Sequence, residues 1–275
     1  MQYSIRETGI KGKVLIFRTN NELMCYRSGK LEFYKLNNYE KYREVKLPLA
    51  LWKKFLCRIR YLERLLHIEA RWAIEIDDVN ILVQIDKNIL LINIDNGMIT
   101  KEKVPVKGKP LFIMKVENIL GFNNMHIVGD YSRNENREPV ALYGRNSSGE
   151  WDKVWEFPEG IVRHIHGCYT DKERKCIYIL TGDENSESGI WKATDNFSKV
   201  EPLLVGSQQY RACQMNFIDS NLYYFTDAPS EMNYMYRYTG EKIEKISELK
   251  GTCIWGTNFC GGGYYSTTCE PDKNW

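Results

Sequence analysis

Apolar positions along this chain come in short runs of four to seven residues, separated by turn residues at nearly even spacing. Residues 13–36 hold three such runs, VLIF, ELMCY and LEFY, with Asn20-Asn21 and Ser28-Gly29 between them as turn signals. From Trp72 the runs resume as RWAIEI, NILVQI and NILLINI, joined by Asp-Lys-Asn and Asp-Asn-Gly turns. These are strand patterns. They do not alternate with long helical patterns, which disfavours a parallel α/β sheet.

One stretch breaks the rhythm. In residues 50–66 the apolar residues Trp52, Phe55, Leu56, Ile59, Leu62 and Leu66 recur at helical spacing, and Lys53, Lys54, Arg58, Arg60 and Arg64 take the other positions. Glu63 is the only acid among them. The pattern predicts one inserted amphipathic helix whose stripe, Trp52, Phe55, Ile59 and Leu62, packs on the β domain. The alternative is a basic amphipathic helix that meets an anionic membrane surface or a protein partner through residues 51–66.

The runs also repeat as a set. His126-Ile127-Val128-Gly129-Asp130 aligns with Ile179-Leu180-Thr181-Gly182-Asp183, and Tyr178-Ile179-Leu180-Thr181 aligns with Tyr223-Tyr224-Phe225-Thr226 and Tyr264-Tyr265-Ser266-Thr267. Thr181, Thr226 and Thr267 stand 45 and 41 residues apart, and an acid follows each: Asp183, Asp227 and Glu270. Four short strands per period of this length predict an all-β fold, a β-propeller filling residues 1–275 as a single domain. Blades are expected at 13–48, 70–106, 113–160, 163–205 and 211–248, with another beginning at Thr252. That makes five or six four-stranded blades, in a ring that is complete or short of closure.

Composition narrows the class. A formal net charge of +2 argues against a general nucleic-acid binder. The 18 Tyr, 10 Phe and 7 Trp favour strands and ligand grooves over helical bundles. The 8 Cys mostly fall inside apolar runs and form no C-x-x-C, so reduced thiols in a cytoplasmic protein are expected. The first residues show no apolar core followed by a small-residue cleavage site, so secretion is not expected.

Topology points to one face. In an up-and-down blade, the start of the first strand and the end of the second lie together. His164 and His166 begin such a strand, Asp183 and Glu184 follow the next, and Gln208, Gln209, Arg211, Asp227, Asp130 and Glu270 belong to the same face. Residues two apart on a strand point the same way, so both imidazoles can address one ligand. They could hold a transition metal with an acid, contact substrate or move its protons, or simply tie blades together. With only two His and turn acids in sight, no tightly bound metal is expected, and no cofactor is specified. The several acids could instead serve as a glycosidase pair, though each would also suit an Asx-type turn. His67 and His126 look isolated.

Ala193-Thr194-Asp195-Asn196-Phe197-Ser198-Lys199-Val200 resembles an Asp-box, Ser-x-Asp-x-Gly-x-Thr-Trp, keeping its Asp; Arg145–Trp151 is a second degenerate copy that keeps the Gly and a shifted Trp. Over about residues 110–270 the chain therefore resembles bacterial Asp-box (BNR-repeat, sialidase-like) propellers, notably those that accompany surface-polysaccharide genes. The resemblance implies that these boxes are turns between third and fourth strands, away from the active face, and that a bacterial glycan is the ligand. Sialidases also carry an arginine triad; Arg163 and Arg211 are candidates, but no Arg-Ile-Pro motif is present. The resulting expectation is a glycan-binding or glycosidase-like propeller, with Asp183, Asp227 and His164 as catalytic groups. Arg163, His166, Glu184, Gln209, Arg211 and Trp255 would bind the oligosaccharide. The alternatives are a non-catalytic protein or glycan scaffold, and a metal-dependent enzyme using His164 and His166.

Overall fold

The structure is a computed structural model that describes residues 7–18, 21–259 and 262–268. The chain divides into two compact units, residues 1–104 and 105–275.

The first unit holds two four-stranded antiparallel sheets. One is built from β1 (Lys13–Arg18), β2 (Glu22–Arg27), β3 (Lys30–Lys35) and β4 (Lys41–Lys46); the other from β5 (Ala70–Glu75), β6 (Asn80–Ile85), β7 (Asn88–Asn93) and β8 (Ile99–Lys101). Strands pair in chain order in both. Met24, Leu31, Phe33, Ile81, Val83 and Ile92 form the apolar layer shared by the two sheets. Arg18 crosses between them, donating to Glu75 at 2.6 Å and to Glu22 at 3.0 Å.

The second unit repeats the plan. Its sheets are β9 (Met114–Val116), β10 (Met125–Gly129), β11 (Val140–Arg145) and β12 (Trp151–Phe157); then β13 (His164–Asp171), β14 (Cys176–Gly182), β15 (Gly189–Thr194) and β16 (Lys199–Val205). A third comprises β17 (Ala212–Ile218), β18 (Asn221–Thr226), β19 (Asn233–Tyr238) and β20 (Ile243–Leu249). A two-stranded sheet, β21 (Trp255–Phe259) with β22 (Gly262–Ser266), follows. These boundaries track the sequence-predicted blades to within a few residues. Glu270, expected as the last acid of the repeat, lies outside the described residues, as do Cys260 and Cys269.

Burial explains the runs. Second strands are covered on both faces, so CIYILTG of β14 is buried throughout, whereas the fourth strand β16, KVEPLLV, is largely exposed. An outer edge is also where Pro202 costs no ladder hydrogen bond. Aromatics are concentrated in the layers between sheets: Phe157 meets Trp191 at 5.1 Å, and Tyr178 stacks on Phe217 at 5.6 Å. Much of the aromatic content thus packs blades together and does not line a groove. Both predicted box segments do form turns between third and fourth strands, residues 146–150 joining β11 to β12 and residues 195–198 joining β15 to β16. The six described cysteines are buried and unpaired.

The insertion differs from expectation. It forms two short helices, α1 (Leu51–Leu56) and α2 (Arg60–Leu65), because Ile59 adopts an extended backbone between them. Three of the four stripe residues expected to be buried are not, Trp52 being 59 % exposed, Phe55 63 % and Ile59 49 %, while Leu62 is half-buried. Polar contacts hold the insertion instead. Tyr26 on β2 donates to Glu63 at 2.6 Å and lies 3.7 Å from the Cys57 sulfur, while Lys53 pairs with Asp86. The lone acid of this basic segment is turned inward. No described helix is long and apolar enough to cross a membrane.

Candidate functional site

The second unit gathers a polar cluster where β13 begins and β14 ends. His164 pairs in register with Gly182, so Asp183, one residue on, lies beside it. The β13 register then slips between Ile165 and Gly167, and His166 occupies the bulge. A bulge re-aims a side chain without ending the ladder. The two rings come to lie with centroids 5.0 Å apart. Gly182 makes room for them: a Cβ there would stand 2.5 Å from His166 Cε1.

Each ring is anchored through its Nδ1. His164 Nδ1 is 3.0 Å from the Ser132 carbonyl and His166 Nδ1 is 3.1 Å from the Ala212 carbonyl. A carbonyl only accepts, so both Nδ1 atoms carry hydrogen, and in the neutral rings the Nε2 lone pairs are directed away from these anchors. They are directed at each other. The Nε2 atoms are 3.1 Å apart, and each is 3.3 Å from Asp183 Oδ1. Both imidazoles are buried.

Around this triangle stands a second layer. Arg211 donates to Asp183 Oδ1 at 2.9 Å and to the Asp183 carbonyl at 3.1 Å, and also lies 3.7 Å from Asp227. Arg163 reaches Asp183 Oδ2 at 3.5 Å. Gln208 donates to the Asp183 carbonyl at 2.7 Å. Tyr131 covers one side, its ring 4.3 Å from that of His164. With no ion bound, burial by itself would raise the Asp183 carboxyl, but the hydrogen bonds that the imidazoles give when their Nε2 atoms carry hydrogen, together with the nearby Arg211 charge, outweigh it and hold the group well below the usual carboxylate range. Burial, with Asp227 adjacent, pushes the Cys213 thiol well up, so that group stays protonated.

These contacts join six of the nine sequence-predicted residues: His164, His166, Asp183, Arg163, Arg211 and Asp227. Glu184 is exposed, and its carbonyl accepts from Glu187 and Ser188 to close a turn. Gln209 sits in a short turn held by the Ser207 hydroxyl, and Trp255 opens the two-stranded sheet at 50 % exposure. Asp130 has a structural place: it is buried, and accepts from the backbone N–H of Lys107 at 2.6 Å and of Ala141 at 2.9 Å. Sequence reasoning missed Tyr131, Arg137 and the buried Glu187, which pairs with Arg137 and lies 3.9 Å from Arg163. They come from loops whose convergence leaves no periodic signal.

Among the described residues, two groups of potential metal ligands lie within mutual reach, His164/His166/Asp183 and His166/Cys213/Asp227. The first is the better matched. A tetrahedral zinc ion with bonds of about 2.0–2.1 Å sets its ligand atoms about 3.3–3.4 Å apart. The triangle here has edges of 3.1, 3.3 and 3.3 Å.

No family model and no curated protein matches this chain. Solved structures do. A chain of the mitotic checkpoint complex superposes with a TM-score of 0.60 at 8 % identity, over 94 % of this chain and 71 % of that one. Regucalcin, a calcium-binding protein from Agrobacterium tumefaciens, gives 0.55 at 10 % identity, over 88 % and 75 %. The fold is a β-propeller. The extracellular domain of a one-component system from B. thetaiotaomicron gives 0.59 at 12 % identity over 89 % of this chain, and the match spans 30 % of that chain. At such identities the propeller shares only its scaffold with these neighbours.

Proposed function

We propose that this propeller binds a divalent transition-metal ion through His164 Nε2, His166 Nε2 and Asp183 Oδ1. The observation that carries it is the pair of facing Nε2 lone pairs, fixed by two Nδ1–carbonyl hydrogen bonds beside one carboxylate oxygen. Anchoring the far nitrogen of a histidine is how ligating imidazoles are oriented. Two bare imidazole nitrogens at 3.1 Å repel unless a proton or a metal ion lies between them, and a metal ion serves both nitrogens and the carboxylate oxygen at once. Nitrogen and oxygen donors together suit zinc and its neighbours better than calcium. Three protein ligands leave a fourth position for an oxygen donor, the arrangement in which such an ion polarises water or a carbonyl.

Arg163 and Arg211 both reach the Asp183 carboxylate, and their charge favours an oxygen-rich, anionic group beside it. An acidic sugar of the glycan class expected from the sequence fits this chemistry. Hydrolysis by an Asp183–Asp227 pair would use Asp183, held ionised, as nucleophile or base, and it leaves the two facing imidazoles without a part. The supported role is therefore ligand binding through a metal, with any turnover depending on that ion.

The test is metal content and affinity. Purified protein incubated with zinc and desalted should retain close to one ion per chain, and cobalt should give the absorption of a tetrahedral site. His164→Ala and Asp183→Asn should each weaken retention by about 10–100-fold or more, while Asp227→Ala should leave it intact. Wild-type protein that retains no zinc or cobalt would refute the proposal. An acidic glycan retained without metal, and lost in Asp227→Ala, would favour the metal-free cleft instead.

A further inference from the structure

The first unit carries a surface that the metal site does not use. Leu51, Trp52, Phe55, Ile59, Tyr61 and Leu65 are all exposed, Leu51 at 84 % and Tyr61 at 73 %. On α1, Leu51, Trp52 and Phe55 fall within an arc of about 100°, so they form one face. An exposed apolar group of this extent, rimmed by charge, marks a contact site. The rim is of one sign. Lys54, Arg58, Arg60 and Arg64 are exposed, and among the described residues none of the four makes an ion pair. The only acid of the segment, Glu63, is buried and accepts from Tyr26 at 2.6 Å.

We propose that α1 and α2 dock this chain on an anionic lipid surface. Trp52, Phe55 and Leu51 would enter the boundary between headgroups and acyl chains while the four free cations meet lipid phosphates. Charge complementarity selects this occupant: a bilayer of anionic lipids offers the continuous negative plane that an all-basic rim requires, and aromatic side chains such as Trp52 and Tyr61 favour its interface. Arg60, Tyr61, Arg64 and Leu65 line a shallow open depression of about 570 Å³, with the two guanidiniums one helical turn apart. Its walls are basic and apolar, which matches a phosphate joined to a hydrocarbon chain. The polar anchors Tyr26, Glu63, Asp86 and Lys53 fix the helices from beneath and leave this face outward.

Flotation of the full chain with vesicles tests it. The protein should float with phosphatidylcholine vesicles containing about one third phosphatidylserine, stay behind with phosphatidylcholine alone, and be released when salt is raised about tenfold. Trp52→Ser with Phe55→Ser, and separately Arg60→Glu with Arg64→Glu, should each reduce flotation about tenfold or more without moving the unfolding midpoint. Failure of wild type to float with the anionic vesicles would overturn the proposal, as would flotation indifferent to both double substitutions. So would a concentration-dependent dimer abolished by Trp52→Ser with Phe55→Ser, which would make the face a contact between copies. None of these outcomes bears on zinc retention.

Discussion

Replacing Gly182 by Ala places a methyl 2.5 Å from His166 Cε1, 3.1 Å from its Nε2 and 3.3 Å from Arg211 Cγ. Carbon atoms pack at about 3.5–4.0 Å, so the imidazole must move by about 1 Å. It cannot move freely, because Nδ1 is tied to the Ala212 carbonyl at 3.1 Å. Either that hydrogen bond lengthens or Nε2 leaves the triangle with His164 and Asp183. Metal bonds tolerate about 0.2 Å, so a shift of this size removes His166 from good coordination. The expected loss in zinc affinity is about 10–100-fold, or about 1.4–2.8 kcal/mol. The metal-free protein should lose about 1–3 kcal/mol from overpacking, a fall in Tm of about 2–12 °C. Competition with a chromophoric chelator measures the first quantity and a thermal melt in chelator the second. The informative number is the stabilisation that saturating zinc confers, which should shrink in the variant. If Gly182→Ala binds zinc as tightly as wild type, His166 is not a ligand and the triangle has another purpose.

Two further outcomes concern stability. Thr181→Val should cost about 1–3 kcal/mol by chemical denaturation, because the Thr181 hydroxyl donates to the Glu187 carbonyl at 2.8 Å and accepts from the Trp191 indole at 3.0 Å. Tyr26→Phe should loosen the helical insertion by a similar amount, leaving the buried Glu63 carboxyl without its donor, whereas Trp52→Ser should stay within about 0.5 kcal/mol of wild type. Protease cleavage within residues 51–66 reports on both.

The repeat was legible because blades share structural duties, and Thr181 shows how. In the next sheet Thr226 does comparable work, donating to Asn233 at 2.9 Å and accepting from the Tyr234 N–H at 2.8 Å. The recurring Thr is therefore a joint of these two blades, whereas the second strands β2, β6 and β10 have no Thr. The acids after it are less uniform. Asp227 pairs through its backbone with Arg211, in the place that Gly182 takes opposite His164, so Asp183 and Asp227 are not strictly equivalent. The meeting of the two imidazoles depends on a bulge and on carbonyls from Ser132 and Ala212, neither of which has a residue signature. The amphipathic insertion was readable as a pattern, but not which face it hides. That was decided by Tyr26, which reaches Glu63 from 37 residues away in the chain.

The slipped register in β13 is not peculiar to it. First strands β1, β5 and β17 slip likewise, leaving Leu15, Arg71 and Cys213 at the irregular position that His166 takes in β13. One backbone device has thus been copied with the blade and furnished with an aliphatic, a cationic, an imidazole and a thiol side chain. Chemistry on this scaffold can change by altering the occupant of a ready-made socket, with the ladder on either side left as it was. The socket at Cys213, with Asp227 already beside it at 3.3 Å, is one substitution to His away from a second nitrogen-and-carboxylate station.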